Sequence, residues 1–211
     1  MQKILVLGGS GFIGHHVCEA LERAGLYATV PTRRLPARSV QMLPRVTVVR
    51  ADVHDPAQLS ALVRGHDAVI NLVAILHGTA QSFDHVHVQL PRLLAQACVD
   101  QGVRRLVHMS ALGVDVRGPS MYLRSKAQGE KVLQEAGLDL TMLQPSVIFG
   151  TEDKFLNLFA QLQQLTPVVP LAGASTRFQP VWVEDVALAV AHCVTHQSTI
   201  GHTYEICGPD I

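Results

Sequence analysis

Tyr122 and Lys126 lie four positions apart in a stretch whose apolar spacing predicts a helix from Met121 to Ala136, so both side chains leave one face and meet one ligand. A phenol, with a reference pKa of about 10, keeps its proton at neutral pH. A neighbouring ammonium favours the phenolate, so Lys126 is expected to lower the value for Tyr122. Ser110 directly follows a predicted strand, Arg105 to Met109, at the carboxyl edge of a parallel sheet where open α/β folds bind ligands. A hydroxyl that holds a substrate oxygen, a phenol that passes the proton and a cation that tunes it form a general acid–base set. A tyrosine and a lysine at this spacing arise often by accident; a catalytic reading needs Ser110 and a ligand-binding turn beside them.

That turn is Gly8-Gly9-Ser10-Gly11-Phe12-Ile13-Gly14, between a predicted strand, Ile4 to Leu7, and a predicted helix, Gly11 to Ala24, that stops at Gly25. Gly8 permits the tight turn, Gly11 lets the backbone approach a pyrophosphate, and Gly14 allows close helix-to-strand packing. The amides of Phe12, Ile13 and Gly14 open the helix and face the phosphates. The pattern predicts a pyridine dinucleotide. Thr32-Arg33-Arg34 ends the second predicted strand, about twenty residues beyond the turn, where an acidic residue would bind a ribose 2′-hydroxyl and arginine accommodates a 2′-phosphate. NADP is therefore favoured over NAD. The competing reading of the two arginines is a solvated loop pair.

The elements that must position these groups alternate between short β-branched runs and helix-length amphipathic segments, the signature of βαβ units feeding a parallel sheet. Strands are expected at Tyr27 to Thr32, Val46 to Ala51, Ala68 to Ala74 and Asp139 to Leu143, covered on both faces because their apolar character is continuous. Asp55-Pro56 reads as an N-cap and first helical residue for a helix to about Arg64. A long helix from about Phe83 to Gln101 should be kinked or split at Pro91. Beyond Pro145 a helix over Phe155 to Leu165, a link from Pro167 to Pro170, a short strand near Phe178 to Val181, a helix capped by Asp185 and a strand Thr203 to Cys207 are expected. The fold class is a Rossmann-type, doubly wound α/β domain over residues 1–150. Residues 151–211 are expected to form a small, incomplete substrate lobe interleaved with the last sheet elements.

Composition narrows the partners. Lysine plus arginine equals aspartate plus glutamate at 17 each, so no overall field draws the chain to nucleic acid; a small-molecule substrate fits better. Cys18, Cys98, Cys193 and Cys207 are too dispersed for a zinc site and are expected to be buried thiols. Among eleven histidines, His15-His16 and His85/His87 lack both the i, i+4 spacing of the common zinc helix and an acidic partner in register, so no metal is expected. His108 is expected to be a partly buried strand residue and Trp182 a core residue. Without a secretory leader or membrane span the chain reads as cytoplasmic. Neither the substrate nor the oligomeric state is legible.

The glycine turn, Asp52-Val53, Asn71-Leu72-Val73-Ala74, Ser110, the Tyr122 to Lys126 pair and Pro145-Ser146-Val147-Ile148-Phe149-Gly150 together resemble the short-chain dehydrogenase/reductase superfamily, in its extended and atypical branch, the NAD-dependent epimerase/dehydratase family. The likeness covers nearly the whole chain. Within that branch, Val69 to Val73, His108 to Gly113 and Arg124 to Ala127 are similar to bacterial relatives of the 39 kDa accessory subunit of respiratory complex I. The resemblance implies Asp52 and Val53 near the adenine, Val73 and Ala74 along the ribose, Pro145 to Val147 around the nicotinamide, and Ser110, Tyr122 and Lys126 as the catalytic group, with Lys126 also holding the ribose. It implies an NADP-dependent oxidoreductase or nucleotide-sugar epimerase-like enzyme. The other reading is a non-catalytic nucleotide-binding subunit or redox sensor, peripherally associated with a membrane respiratory complex. Members of the family usually continue well past this length, so the lobe is expected to be partial.

Overall fold

The structure, a computed structural model, describes residues 2–153 and 178–209. Within them the chain runs β1 (Lys3–Leu7), α1 (Phe12–Arg23), β2 (Tyr27–Thr32), α2 (Arg38–Gln41), β3 (Val46–Arg50), α3 (Pro56–Val63), β4 (Ala68–Asn71) and α4 (Ala80–Asp84). A π-helical turn (His85–Gln89) carries α4 straight into α5 (Leu90–Gln101). Then follow β5 (Arg105–Met109), α6 (Met121–Gln134), β6 (Asp139–Pro145), β7 (Ile148–Phe149), β8 (Val181–Trp182), α7 (Val183–Thr195), a 3-10 turn (Gln197–Thr199) and β9 (Thr203–Ile206). Among the described residues seven strands form one sheet in the order β3-β2-β1-β4-β5-β6-β9, every pair parallel.

Side-chain alternation decides which helix covers which face. Ile4 and Val6 point into a cluster shared with Val17 and Leu21 of α1 and with Val186 and Val190 of α7. Leu5 and Leu7 point into the opposite cluster, with Leu59 of α3, Leu94 of α5 and Leu133 of α6. Two apolar layers on one parallel sheet make the α/β doubly wound architecture expected from the strand patterning. The order reverses between β1 and β4, and at such a switch point the crevice beyond the strand ends is where these sheets hold ligands.

The C-terminal elements belong to this sheet. β9 pairs with β6 from Met142↔Thr203 to Pro145↔Ile206. The half-buried Arg105 of β5 donates to Thr141 Oγ1 (2.7 Å), Thr199 Oγ1 (2.9 Å) and the Cys193 carbonyl, tying α7 and the 3-10 turn to the strands they follow. Burying a guanidinium is tolerable here because both terminal nitrogens are paired, although its Nε is left without a partner among the described residues.

Local chemistry sets the helix ends. Asp55 caps α3 through Gln58 N (2.9 Å) with Pro56 at the first helical position, as expected, and Ser120 caps α6 through Leu123 N (3.1 Å), worth about 1 kcal/mol. The split expected at Pro91 takes a definite form. Proline has no N–H for the carbonyl four residues back and its ring crowds that carbonyl, so the helix widens to a π turn over His85–Gln89.

Several expectations are corrected. α7 is capped by Trp182 and begins at Val183, so Asp185 stands in its first turn with Glu184, where acidic side chains favour the positive end of the dipole. The short strand is Val181–Trp182, since it follows the pairing with Ile148–Phe149. Trp182 is 50 % exposed and not core, because β8 turns its side chain away while Val181 fills the interior. β4 ends at Asn71, not Ala74, because Asn71 Oδ1 accepts from Val73 N (3.2 Å) and turns the chain. Cys18, Cys98 and Cys193 are buried thiols; Cys207 is half-buried. The expected helix over Phe155 to Leu165 and the link over Pro167 to Pro170 lie outside the described residues. Among the described residues no helix is long and apolar enough to cross a membrane.

Candidate active site

The glycine turn sits at the switch point. Gly8 has φ +82°, and a Cβ there would come within 3.2 Å of Leu72 C and Val73 N, so the turn lies directly against the chain leaving β4. Gly11 N donates to Gly8 O (3.0 Å), closing the loop and leaving Gly11 as an N-cap with no side-chain acceptor for the first amides of α1. The amides of Phe12, Ile13 and Gly14 are therefore offered outward, as an anion would require. A Cβ on Gly14 would collide with the Gly8 carbonyl and Gly9 Cα, and one on Gly150 would come within 3.2 Å of the Phe12 ring. The loop after β7 thus also closes on the start of α1. Replacing Gly14 with alanine should push α1 off the turn, costing about 1–3 kcal/mol of stability. It should also weaken dinucleotide binding about tenfold. Thermal melts and calorimetric titration check both.

At the far end of the crevice Arg33 and Arg50 line a shallow cleft with Ala51, Asp52 and Gln58. β2 pairs Thr32 with Arg50 of β3, which sets the two basic side chains at adjacent strand ends. Arg50 escaped the sequence reading; a basic residue closing the strand beside the Thr32-Arg33-Arg34 run was the available signal. Arg34 is exposed and does not line the cleft, its backbone being held by Thr32 Oγ1 (3.3 Å). Asp52 is fixed by its amide on Gln58 Oε1 (3.0 Å) and by accepting from His54 N (3.0 Å). The His54 ring stacks on His85 with centroids 4.1 Å apart. Val73 is half-buried and Ala74 exposed beside the glycine turn, while Pro145 is buried at the end of β6 and Val147 half-buried beyond it.

The first of the candidate acid–base residues directly follows the end of β5. Ser110 is 3 % exposed, its amide donates to Leu143 O (2.7 Å), and its Oγ is buried with no hydrogen-bond partner among the described residues. Lys126 is 2 % exposed and donates its ammonium to Met109 O (2.6 Å), the carbonyl just before Ser110. Burial brings its pKa down to about 8, against the opposing pull of Glu130. Tyr122 sits on the same helix with its ring edge-on to His87 (5.5 Å) and Phe83 (6.4 Å). The expected lowering of its phenol is corrected: burial raises the Tyr122 pKa, and the Lys126 ammonium donates instead to the Met109 carbonyl.

Two histidines share this neighbourhood. His108 is fully buried, not partly, and its Nδ1 contacts Asn71 Nδ2 (3.2 Å); burial, then Lys126 and His87, hold it well below the usual imidazole range. His87 is likewise pushed down to about 4, by burial first and Lys126 second. Sequence reasoning weighed His87 only as a metal ligand and gave Asn71 no separate role; an asparagine ending an otherwise apolar strand was the signal for the latter. At the other histidine pair the fold, not the sequence register, brings Glu184 Oε1 of α7 to 2.6 Å from His16, and Glu184 also pairs with Arg23 (3.1 Å). His16 Nδ1 also lies 3.9 Å from Glu19, so three side-chain contacts gather His16, Glu19, Glu184 and Arg23.

The model of the NAD dependent epimerase/dehydratase family matches residues 4–207. The chain belongs to this family. It is 34 % identical over 213 residues, covering 97 % of its length and 56 % of the relative's, to NADH dehydrogenase (ubiquinone) 1 alpha subcomplex subunit 9, mitochondrial, of Rattus norvegicus. It is 30 % identical over 195 residues to a ceramide reductase of Caulobacter vibrioides, covering 91 % of the chain and 61 % of that protein. The chain thus spans little more than half the length of these curated relatives. A dTDP-glucose 4,6-dehydratase of Streptomyces venezuelae, solved with NAD and TYD bound, superposes with a TM-score of 0.85 at 25 % identity, over 100 % of this chain and 76 % of that one. The Rossmann-like nucleotide-binding fold expected from the glycine turn is the fold of this family member.

Proposed function

We propose that the chain binds a pyridine dinucleotide across the glycine turn, prefers NADP to NAD, and exchanges hydride with a small-molecule substrate using Ser110, Tyr122 and Lys126. One observation carries the catalytic reading: a buried serine hydroxyl without a partner among the described residues directly follows Met109, whose carbonyl holds the buried Lys126 ammonium of the helix that carries Tyr122. An orphaned buried hydroxyl is costly, and a substrate oxygen would satisfy it. When bound, the nicotinamide supplies or accepts the hydride. The residues do the rest: Ser110 holds the substrate oxygen, Tyr122 gives or takes its proton, and Lys126 holds the ribose.

The preference for NADP is supported by Arg33 and Arg50 on the cleft beside Asp52. Guanidinium groups pair with a phosphate monoester more strongly than with a hydroxyl. Replacing Arg33 and Arg50 together with alanine is expected to weaken NADPH binding about tenfold to a hundredfold while changing NADH binding about twofold or less. Fluorescence titration of both reduced cofactors against parent and variant decides it; equal losses for the two would remove the preference.

A second reading is favoured by the curated relatives, which include a complex I subunit. On it the chain holds NADPH without turnover as a peripheral part of a respiratory assembly. Co-purification with such an assembly, together with no turnover on carbonyl and nucleotide-sugar substrates, would establish that reading and overturn the first.

A further inference from the structure

His87 stands at the middle of the π turn, and its ring is engaged at both nitrogens. Ile75 N donates to Nε2 (3.1 Å), and an amide can only donate, so Nε2 is the acceptor and the ring proton rests on Nδ1. Nδ1–H then donates to Ser125 Oγ (2.8 Å), and Ser125 Oγ–H donates to the Tyr122 carbonyl (2.9 Å). The relay is unidirectional and complete: loop after β4, imidazole, serine, catalytic helix. Burial and the Lys126 charge keep the ring neutral, which the relay requires, since an imidazolium has no acceptor for Ile75.

The backbone supports the same arrangement. Pro91 offers the His87 carbonyl no amide, and that carbonyl turns toward α6, where a Cβ on Gly129 would collide with it. Glycine at 129 lets the π turn lie against α6, four residues along the helix from Ser125. The residues that anchor the imidazole are therefore next to Val73 and Ala74 on one side and Tyr122 on the other.

We infer that His87 is a positioning residue that locks the loop after β4 to the helix carrying Tyr122, so that the nucleotide-facing loop and the phenol keep one register. The inference rests on the proposed proton-transfer role of Tyr122, and its structural half is measurable without turnover. The same ring also packs edge-on to Tyr122, so shape and hydrogen bonding must be separated. His87→Phe keeps an aromatic ring and removes both hydrogen bonds. His87→Gln restores one donor and one acceptor on a side chain of similar reach.

The experiment uses the whole chain and these two variants, with three readouts: amide hydrogen exchange at Ile75, ultraviolet titration of the tyrosines, and steady-state kinetics with NADPH. His87→Phe is expected to speed Ile75 exchange at least about tenfold and to shift the Tyr122 titration. It should also lower kcat by about 10- to 100-fold with little change in cofactor KM, the size of effect expected from a misplacement of about 1 Å. His87→Gln should return all three to within about threefold of the parent. Parent-like exchange, titration and kcat in His87→Phe would overturn the inference, as would a glutamine variant as impaired as the phenylalanine one. If the parent turns over no substrate, the catalytic reading fails by itself, and exchange at Ile75 with the tyrosine titration still decides whether His87 joins loop to helix.

Discussion

Tyr122→Phe is expected to bind NADPH within about threefold of the parent while turnover falls by about 10²- to 10⁴-fold, the range that a positioned general acid or base contributes. The variant isolates the hydroxyl. Phenylalanine keeps the edge-on contacts with His87 and Phe83 that hold the ring, and no hydrogen bond of α6 depends on the phenol oxygen among the described residues. A loss confined to kcat would therefore report proton transfer and not packing. The direction of the Tyr122 shift adds a sign. Because burial raises the phenol pKa, the protonated form needed for carbonyl reduction persists across the neutral range and beyond the ordinary tyrosine value. The phenol by itself leaves reduction level from pH 6 to about 10 and makes alcohol oxidation climb, and loss of the Lys126 proton near its pKa of about 8 is expected to add a fall in reduction above that value. Retained turnover in the phenylalanine variant, with NADPH bound, would remove Tyr122 from the chemistry. A parent that binds NADPH and turns over nothing would instead favour the accessory-subunit reading.

The fold was legible because its signals are local and repetitive. Continuous apolar runs such as Ala68 to Ile70 cannot stand half-solvated, and the glycine turn fixes both the end of β1 and the start of α1. Asp55-Pro56 and Pro91 acted through the geometry of the peptide itself, so their effects could be placed to the residue. The site was legible in its parts but not in its electrostatics. Spacing puts Tyr122 and Lys126 on one helical face; it cannot say that the ammonium is claimed by Met109 O, a carbonyl from another element. The same limit explains Glu184 beside His16, 168 positions apart in the chain, and Trp182, whose exposure follows from a two-residue strand that pattern reading cannot orient. His87 shows the other failure. Two positions from His85, it reads in the sequence only as a metal ligand to be set aside, whereas its contacts are with Ile75 N and Ser125 Oγ, neither of which stands at a recognisable interval.

Lys126→Met is expected to melt higher than the parent at pH 7 and to be catalytically dead. The ammonium is buried, and burial depresses its pKa from 10.5 to about 8, a shift that corresponds to about 3 kcal/mol lost when the charged form is folded at neutral pH. Methionine has similar length and no charge to desolvate; it forfeits the hydrogen bond to Met109 O, which returns about 1 kcal/mol of cost. A net gain of about 2 kcal/mol would raise Tm by about 4–8 °C in a chain of this size. The pH dependence identifies the cause. Between about pH 8 and 10.5 the unfolded lysine binds its proton and the folded one does not, so the parent's stability rises with pH across that window. The advantage of the methionine variant should therefore be full below pH 8 and should shrink, then reverse, as pH passes toward 10.5, where only the lost hydrogen bond remains. Melting curves at pH 7 and pH 10 measure it. A variant that melts lower than the parent at both values would mean that the Met109 contact outweighs desolvation and that Lys126 is a structural strut. The expected outcome implies the opposite: a chain that would fold more firmly without this charge keeps it where a dinucleotide and a substrate oxygen are proposed to meet, as strained and destabilising groups at functional sites generally do.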